Sequence, residues 1–373
     1  MKKVIIAALL VATIQCAFVI TSLAQLTSLP SGGNKTASVS EWIGITNVSI
    51  HYSRPGVKGR EGHIWGGLVP VGYVDQGFGP SKQAPWRAGA NESTTIEFST
   101  DVKIEGQPLP AGKYGFFIAY DPNECTLIFS KNSTSWGSFF YRADEDALRV
   151  KVKPVAADKS VEWLKYEFTG QTPSSAVVAL QWEKQVIPFK IDVDVVNTQL
   201  ASFRKELRTD KGFTWQGWDQ AAAYCAQNKA NLDEALLWAD TATSANFGGD
   251  KVFQAWSTKA MVLDAMGRSA ESADVMKKAL PFGEMGDLHQ YGRALIAQKK
   301  PKEALEVFKM NYDKHPGVFT TNMGLARGYS ATGDYKTALT YAQKAQPQAP
   351  NKPNKDVVDK AIITLQSGKD INN

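Results

Sequence analysis

The residues best equipped for chemistry lie close together between positions 54 and 92. Arg54, Lys58, Arg60 and Arg87 supply four cations, Asn91 an amide and Glu92 a carboxylate, with Trp65 and Trp86 standing among them. Pro55, Gly59, Gly66, Gly67, Pro70 and Gly89 interleave with these side chains, so the stretch reads as loops on a rigid scaffold, where binding residues concentrate. An arginine fork matches the two oxygens of a carboxylate or phosphate, and an indole face suits a sugar ring. The set points to a small polar, anionic or polyhydroxylated ligand. A structural reading competes with it. Arg54 or Arg87 then pairs with Glu92 to pin the loops, because a buried charge needs a partner, and Asn91 caps a turn.

Catalytic constellations are sparse. No Gly-x-Ser-x-Gly elbow is present, so the serine-hydrolase arrangement has no anchor. Gly66-Gly67 and Gly77-x-Gly79 do not lead from a strand into a helix, as a nucleotide loop requires. Asp144-Glu145-Asp146 lacks the alternating spacing of a calcium loop. Four scattered histidines without CxxC or HExxH spacing give no zinc site. No catalytic residue, metal or cofactor is therefore assigned. The alternative is a hydrolase of carbohydrate or cell-envelope polymer with Glu92 in its site. Glu92 with Glu97, or Asp192 with Asp194, would form its acid pair, which needs carboxyls roughly 5–9 Å apart.

The elements that must position these residues change character near residue 200. Period-two alternation marks strands at 48–52, 94–99, 114–120, 126–130, 148–153, 161–168, 176–182 and 186–193. Short antiparallel strands without intervening helices predict an all-β, sandwich-like domain over 40–200, with a partly open barrel as the alternative. Beyond a linker at 201–215, the period becomes helical and the chain repeats. Ala235, Ala304 and Ala338, with Ser272 in the same slot, are spaced by 37, 32 and 34 residues, the period of a helical-hairpin array. Ala260 and Gly292 are small first-helix residues that let helices approach, Trp256 fills the space beside them, and 354–366 forms a polar-faced covering helix. The array is placed at 216–366 and a tail at 367–373.

The amino terminus reads as an address. Lys2 and Lys3 precede an apolar run from Val4 to Ile20 and small residues at Ser22 and Ala24, the pattern of a cleaved secretory leader over 1–24. An uncleaved anchor is the rival. Export places the chain in the periplasm or outside the cell, with 25–39 a flexible segment. Of three cysteines, Cys125 and Cys225 then remain, read as buried and unbridged. The chain has 373 residues and a formal charge of +5. Residues 25–200 hold 17 bases and 18 acids, residues 201–373 hold 23 and 19. No basic stripe exists for nucleic acid. The small surplus on the repeats suggests acidic protein partners. A hydrophobic fraction of 43% excludes a largely disordered chain.

Two resemblances follow. Gly44-Ile45-Thr46-Asn47-Val48, Tyr52-Ser53-Arg54-Pro55, Lys58-Gly59-Arg60, Trp65-Gly66, Trp86-Arg87-Ala88-Gly89-Ala90-Asn91-Glu92, Leu109-Pro110-Ala111-Gly112 and Trp136-Gly137 resemble the domain of unknown function 2911 family over about 40–193. This implies an exported β-rich domain, sometimes joined to tetratricopeptide repeats, and no particular activity. Residues 73–84 are an insertion relative to that pattern, either a flap over the site or an exposed excursion. The array at 216–366 resembles tetratricopeptide repeats, which implies a superhelix whose concave face binds peptides or proteins.

Overall fold

The computed structural model describes residues 33–373. The leader and its cleavage point lie outside the described residues. The chain divides into two units between Val195 and Val196.

Alternation builds the strand unit. In β2 (Thr46–Arg54), Val48, Ile50 and Tyr52 point into the core while His51 faces out, as a pleat with one buried face demands. β2 lies between β1 (Lys35–Ile43) and β3 (Ala90–Phe98), and β6 (Gly112–Ala119), β7 (Cys125–Ser130) and β8 (Asp146–Val152) complete a six-stranded antiparallel sheet in the order β1-β2-β3-β6-β7-β8. A second sheet runs β5-β4-β10-β9, from β4 (Val102–Ile104), β5 (Gln107–Leu109), β9 (Val155–Thr172) and β10 (Ser175–Asp192). Ile50, Ile96 and Phe116 from the first sheet meet Leu164, Trp182 and Phe189 from the second in one buried core. The sandwich expected from the sequence is present.

Several expectations need correction. Residues 35–39, assigned to a flexible segment, form half of β1 and pair with 50–54. The strands expected at 176–182 and 186–193 are one strand, β10, whose register shifts around Glu183 as it pairs with β9. Glu183 sits in a left-handed conformation (φ 50°), so a bulge replaces the expected break. The linker expected at 201–215 is mostly structured. α1 (Val195–Glu206) runs through its first half, and a single 3-10 turn covers Asp210–Gly212.

The helical unit stacks hairpins. The pairs are α2 (Trp215–Asn228) with α3 (Leu232–Ala242), α4 (Phe253–Ala265) with α5 (Ser269–Ala279), α6 (Met285–Ala297) with α7 (Pro301–Lys314), and α8 (Phe319–Ala331) with α9 (Tyr335–Ala345). α10 (Lys352–Gln366) packs on α9. Ala235, Ala260, Gly292, Ala304 and Ala338 are all buried, and Trp256 is half-buried against the α4–α5 core. The reason for a small residue at 292 is direct: a Cβ there would stand 2.5 Å from the ring of Phe308.

Candidate functional site

The segment 86–92 is where β3 leaves regular pairing. His51 pairs with Thr95 and Ser53 with Ala90, so the register slips between them. Ala88 (φ 50°) and Asn91 (φ 57°) both adopt the left-handed conformation. Asn tolerates it, whereas an alanine there is strained. The surroundings enforce it: the Ala88 carbonyl accepts from Thr94 Oγ1 at 3.1 Å and from Tyr166 Oη at 2.7 Å. Gly89 is required because a Cβ would lie 2.7 Å from Thr94 Oγ1. Trp86 bridges to Ile118 through both backbone groups, and its Nε1 donates to the Gly89 carbonyl.

A cleft of about 510 Å³ opens at this bend. Arg60, Trp86, Arg87 and Asn91 line it. The Arg87 guanidinium donates from Nη1 to the Asn91 carbonyl at 2.8 Å. Its Cζ lies 5.4 Å from the Trp136 ring centre and 5.0 Å from that of Phe139, two rings stacked nearly parallel. Among the described residues it makes no ion pair. Burial lowers its pKa, the mark of a cation that has lost water without gaining a carboxylate. Arg60 spends Nε on the Val57 carbonyl and Nη2 on that of Gly56. Among the described lining residues none carries a carboxylate. The cleft is therefore a donor-rich, cationic surface with indole walls.

The other expected site residues lie elsewhere. Arg54 donates from Nε to the Leu164 carbonyl at 2.7 Å, tying β2 to β9. Lys58 is on an exposed turn, its Nζ 5.8 Å from the Trp163 ring centre. Trp65 does not line the cleft. It packs edge-on behind Trp86 at 5.5 Å and Trp182 at 6.0 Å. Glu92 is exposed and accepts from Ser53 Oγ at 3.0 Å. The expected pairing of Glu92 with Arg54 or Arg87 is not formed, because the slip in β3 turns residues 87 and 92 to different surroundings.

Three lining residues lie outside the expected 54–92 cluster and its insertion: Asn34, Trp136 and Trp182. Trp136-Gly137 carried the available signal, since Gly137 is left-handed (φ 62°) and a Cβ there would meet Arg87 Nη1 at 2.6 Å. The insertion at 73–84 is a wall of the cleft. Val74 and Gln76 line it, Gln76 Nε2 donates to Ser138 Oγ at 2.8 Å, and Phe78 packs edge-on against Phe139 at 5.3 Å.

Residues 34–191 match the family described as a protein of unknown function, DUF2911. The strand unit is a DUF2911 domain. No curated protein matches the chain. Among solved structures, the chain is similar to YrrB, titled a TPR protein with an unusual peptide-binding site, at 15% identity over 46% of this chain and 88% of that one, TM-score 0.31. MamA from Desulfovibrio magneticus RS-1 shares 14% identity over 43% and 95%, TM-score 0.29. PilW, titled a type IV pilus biogenesis factor, shares 14% over 40% and 76%, TM-score 0.27.

Around the DUF2911 cleft, and elsewhere among the described residues, no cluster of three or more His, Cys, Asp or Glu side chains could hold a metal ion. Cys125 of the DUF2911 domain and Cys225 of the helical unit are buried free thiols, raised in pKa by burial. No described helix is long and apolar enough to cross a membrane.

Proposed function

We propose that this chain is a non-catalytic binding protein. Its DUF2911 domain holds a small anionic or polyhydroxylated ligand, and its helical hairpins dock protein partners. One observation carries the first half: Arg87 presents a half-buried guanidinium against two aromatic rings, with one hydrogen bond and no carboxylate among the described residues. A fold holds such a cation at a cost unless something brings the matching charge. Trp86, Trp136, Asn91 and Gln76 also line the cleft. The hydrolase alternative centred on Glu92, which accepts from Ser53 and is not among the described lining residues, none of which is an acid. The helical half rests on the stacked hairpins, whose period and small packing residues suit a partner-docking array.

The test is a thermal-shift panel of acidic and neutral sugars and organic acids against the purified chain. Saturable stabilisation without product formation is expected, and it disappears in Arg87→Met. Turnover of a panel member would replace this reading. The same reading includes export through the leader at 1–24, and mass spectrometry of the secreted chain is then expected to find Gln25 first. A retained Met1 would refute it.

A further inference from the structure

The hairpins of the helical unit are not evenly stacked. At the first junction α4 packs along both α2 and α3, and at the third α8 packs along both α6 and α7. At the second junction α6 runs along neither α4 nor α5, and the backbones stand apart. The connector Leu280–Phe282 and the side chains of Phe253, Leu280 and Tyr291 span the gap between the α4–α5 core and the α6–α7 core. Lys314 Nζ braces the connector from α7, donating to the carbonyls of Pro281 at 2.7 Å and Gly283 at 3.2 Å.

The gap opens as a cavity on each side of Tyr291. One, of about 710 Å³, is rimmed by Lys277, Lys309 and Lys314 against Glu303, Glu306 and Asp313, a balanced set. The other, of about 760 Å³, has an apolar floor of Phe253, Ala260, Met261, Met276, Tyr291 and Ala294. Its rim carries Asp264, Asp287 and Glu303 against Lys300 alone. Asp287 serves the cap of α6, accepting from the Glu284 backbone N–H. Asp264 and Glu303 are exposed, and neither makes an ion pair among the described residues. The rim, which shares Glu303 with the first cavity, therefore carries more carboxylates than ammonium groups around a floor containing two methionines, whose unbranched, polarizable side chains repack around varied shapes.

We infer that the 760 Å³ groove between the second and third hairpins docks an amphipathic helix of a partner protein, its apolar face on the floor and Lys or Arg flanking it toward Asp264 and Glu303. This rests on the reading that the helical unit docks protein partners, and it sharpens it. A helix laid in an apolar groove is a recurring recognition mode, and the rim sets the sign of the flanks. The positive surplus of residues 201–373, which suggested acidic partners, does not hold at this groove.

The experiment is fluorescence anisotropy with the full chain and three labelled 18-residue peptides. One is a Leu/Lys amphipathic helix, one its scramble with the helical period destroyed, and one the Leu/Glu counterpart. The Leu/Lys helix is expected to bind saturably and the other two at least tenfold more weakly. In D264K/E303K, affinity for the Leu/Lys helix falls by about tenfold or more, while the remote surface variant Asp356→Lys leaves it unchanged. Circular dichroism confirms that both variants retain their helices. Equal binding of the scramble, or indifference to D264K/E303K, overturns the groove while leaving the scaffold reading intact. No binding of any peptide up to about 1 mM overturns both. Self-association that D264K/E303K abolishes makes a second copy the occupant and also overturns the inference.

Discussion

Arg87→Met separates a guanidinium kept for a ligand from one kept for the fold. The substitution preserves an unbranched stem of similar reach and removes the charge. It forfeits the hydrogen bond to the Asn91 carbonyl at 2.8 Å, about 1.5–3 kcal/mol for a charged donor. It also forfeits contacts with Trp136 and Phe139 at 5.4 and 5.0 Å, about 0.5–1 kcal/mol each. Against this gross loss of about 2.5–5 kcal/mol stands the relief of a half-buried cation with no counter-charge, worth up to several kcal/mol. The expected net loss in the strand unit is about 2 kcal/mol or less. The assay is the urea midpoint followed by tryptophan fluorescence, with titration of the best stabiliser from the ligand panel. Affinity for an anionic ligand drops by about 2–5 kcal/mol, at least thirtyfold in Kd. Arg87→Lys keeps the charge, loses the fork and falls between. If Arg87→Met costs more than about 4 kcal/mol while no ligand stabilises the parent, the arginine is a structural pin and the argument fails.

Three further outcomes follow from the geometry. Gly137→Ala forces a side chain into a left-handed residue and drives its Cβ to 2.6 Å from Arg87 Nη1; a loss of about 2 kcal/mol with weakened ligand stabilisation is expected, and unchanged binding would show that the Arg87 position is not critical. His289 is pushed down to about 4 by burial first and then by Arg327 and Arg293. Its depressed folded value means the unfolded chain binds the proton more readily, so this contribution is intact above the unfolded pKa of about 6.5 and is lost as pH falls from there toward 4. The helical unit is expected to lose at most about 2 kcal/mol between pH 7 and 5 through this residue, and His289→Phe should flatten that part of the stability–pH curve. Cys125 and Cys225 are fully buried, and burial holds the Cys225 thiol up at about 11. Both should resist a disulfide-exchange reagent at pH 8 and react in denaturant; rapid labelling of the folded chain would contradict their burial.

Much of the architecture was legible because it is periodic. Val48, Ile50 and Tyr52 alternate, and the buried slots at 235, 304 and 338 recur with the hairpins. What escaped was non-periodic. β4 and β5 are three residues each, too short for alternation to register. β1 opens Lys35-Thr36-Ala37-Ser38, and pairing with β2, not hydropathy, holds these residues extended. Glu183 hid a bulge inside what reads as a gap between strands, since a charged residue in a left-handed conformation resembles a turn from sequence alone. In the site, residue type identified Arg60, Trp86, Arg87 and Asn91, which the cleft brings together. It did not reveal that Arg54 and Arg87, equal as cations, do different work. Arg54 faces the β9 backbone across the sandwich, and only the pairing of distant strands decides that.

On the proposed reading, a ligand site and a structural network share the segment 86–92. A strand that leaves its ladder exposes carbonyls that must find other donors. Here side chains supply them: Thr94 and Tyr166 to Ala88, the Trp86 indole to Gly89, and Arg87 to Asn91. A lysine or an amide could satisfy the Asn91 carbonyl. Neither offers five donors in a fixed plane that also lies flat against rings. Among the described residues Arg87 uses one nitrogen for the bend and rests on Trp136 and Phe139. The rest of the fork stays beside the cleft, oriented by the bond that secures the backbone. On the proposed reading the structural role is also the means of preorganisation: the same hydrogen bond that repairs the broken ladder fixes the guanidinium, so that a ligand would meet it without first ordering it.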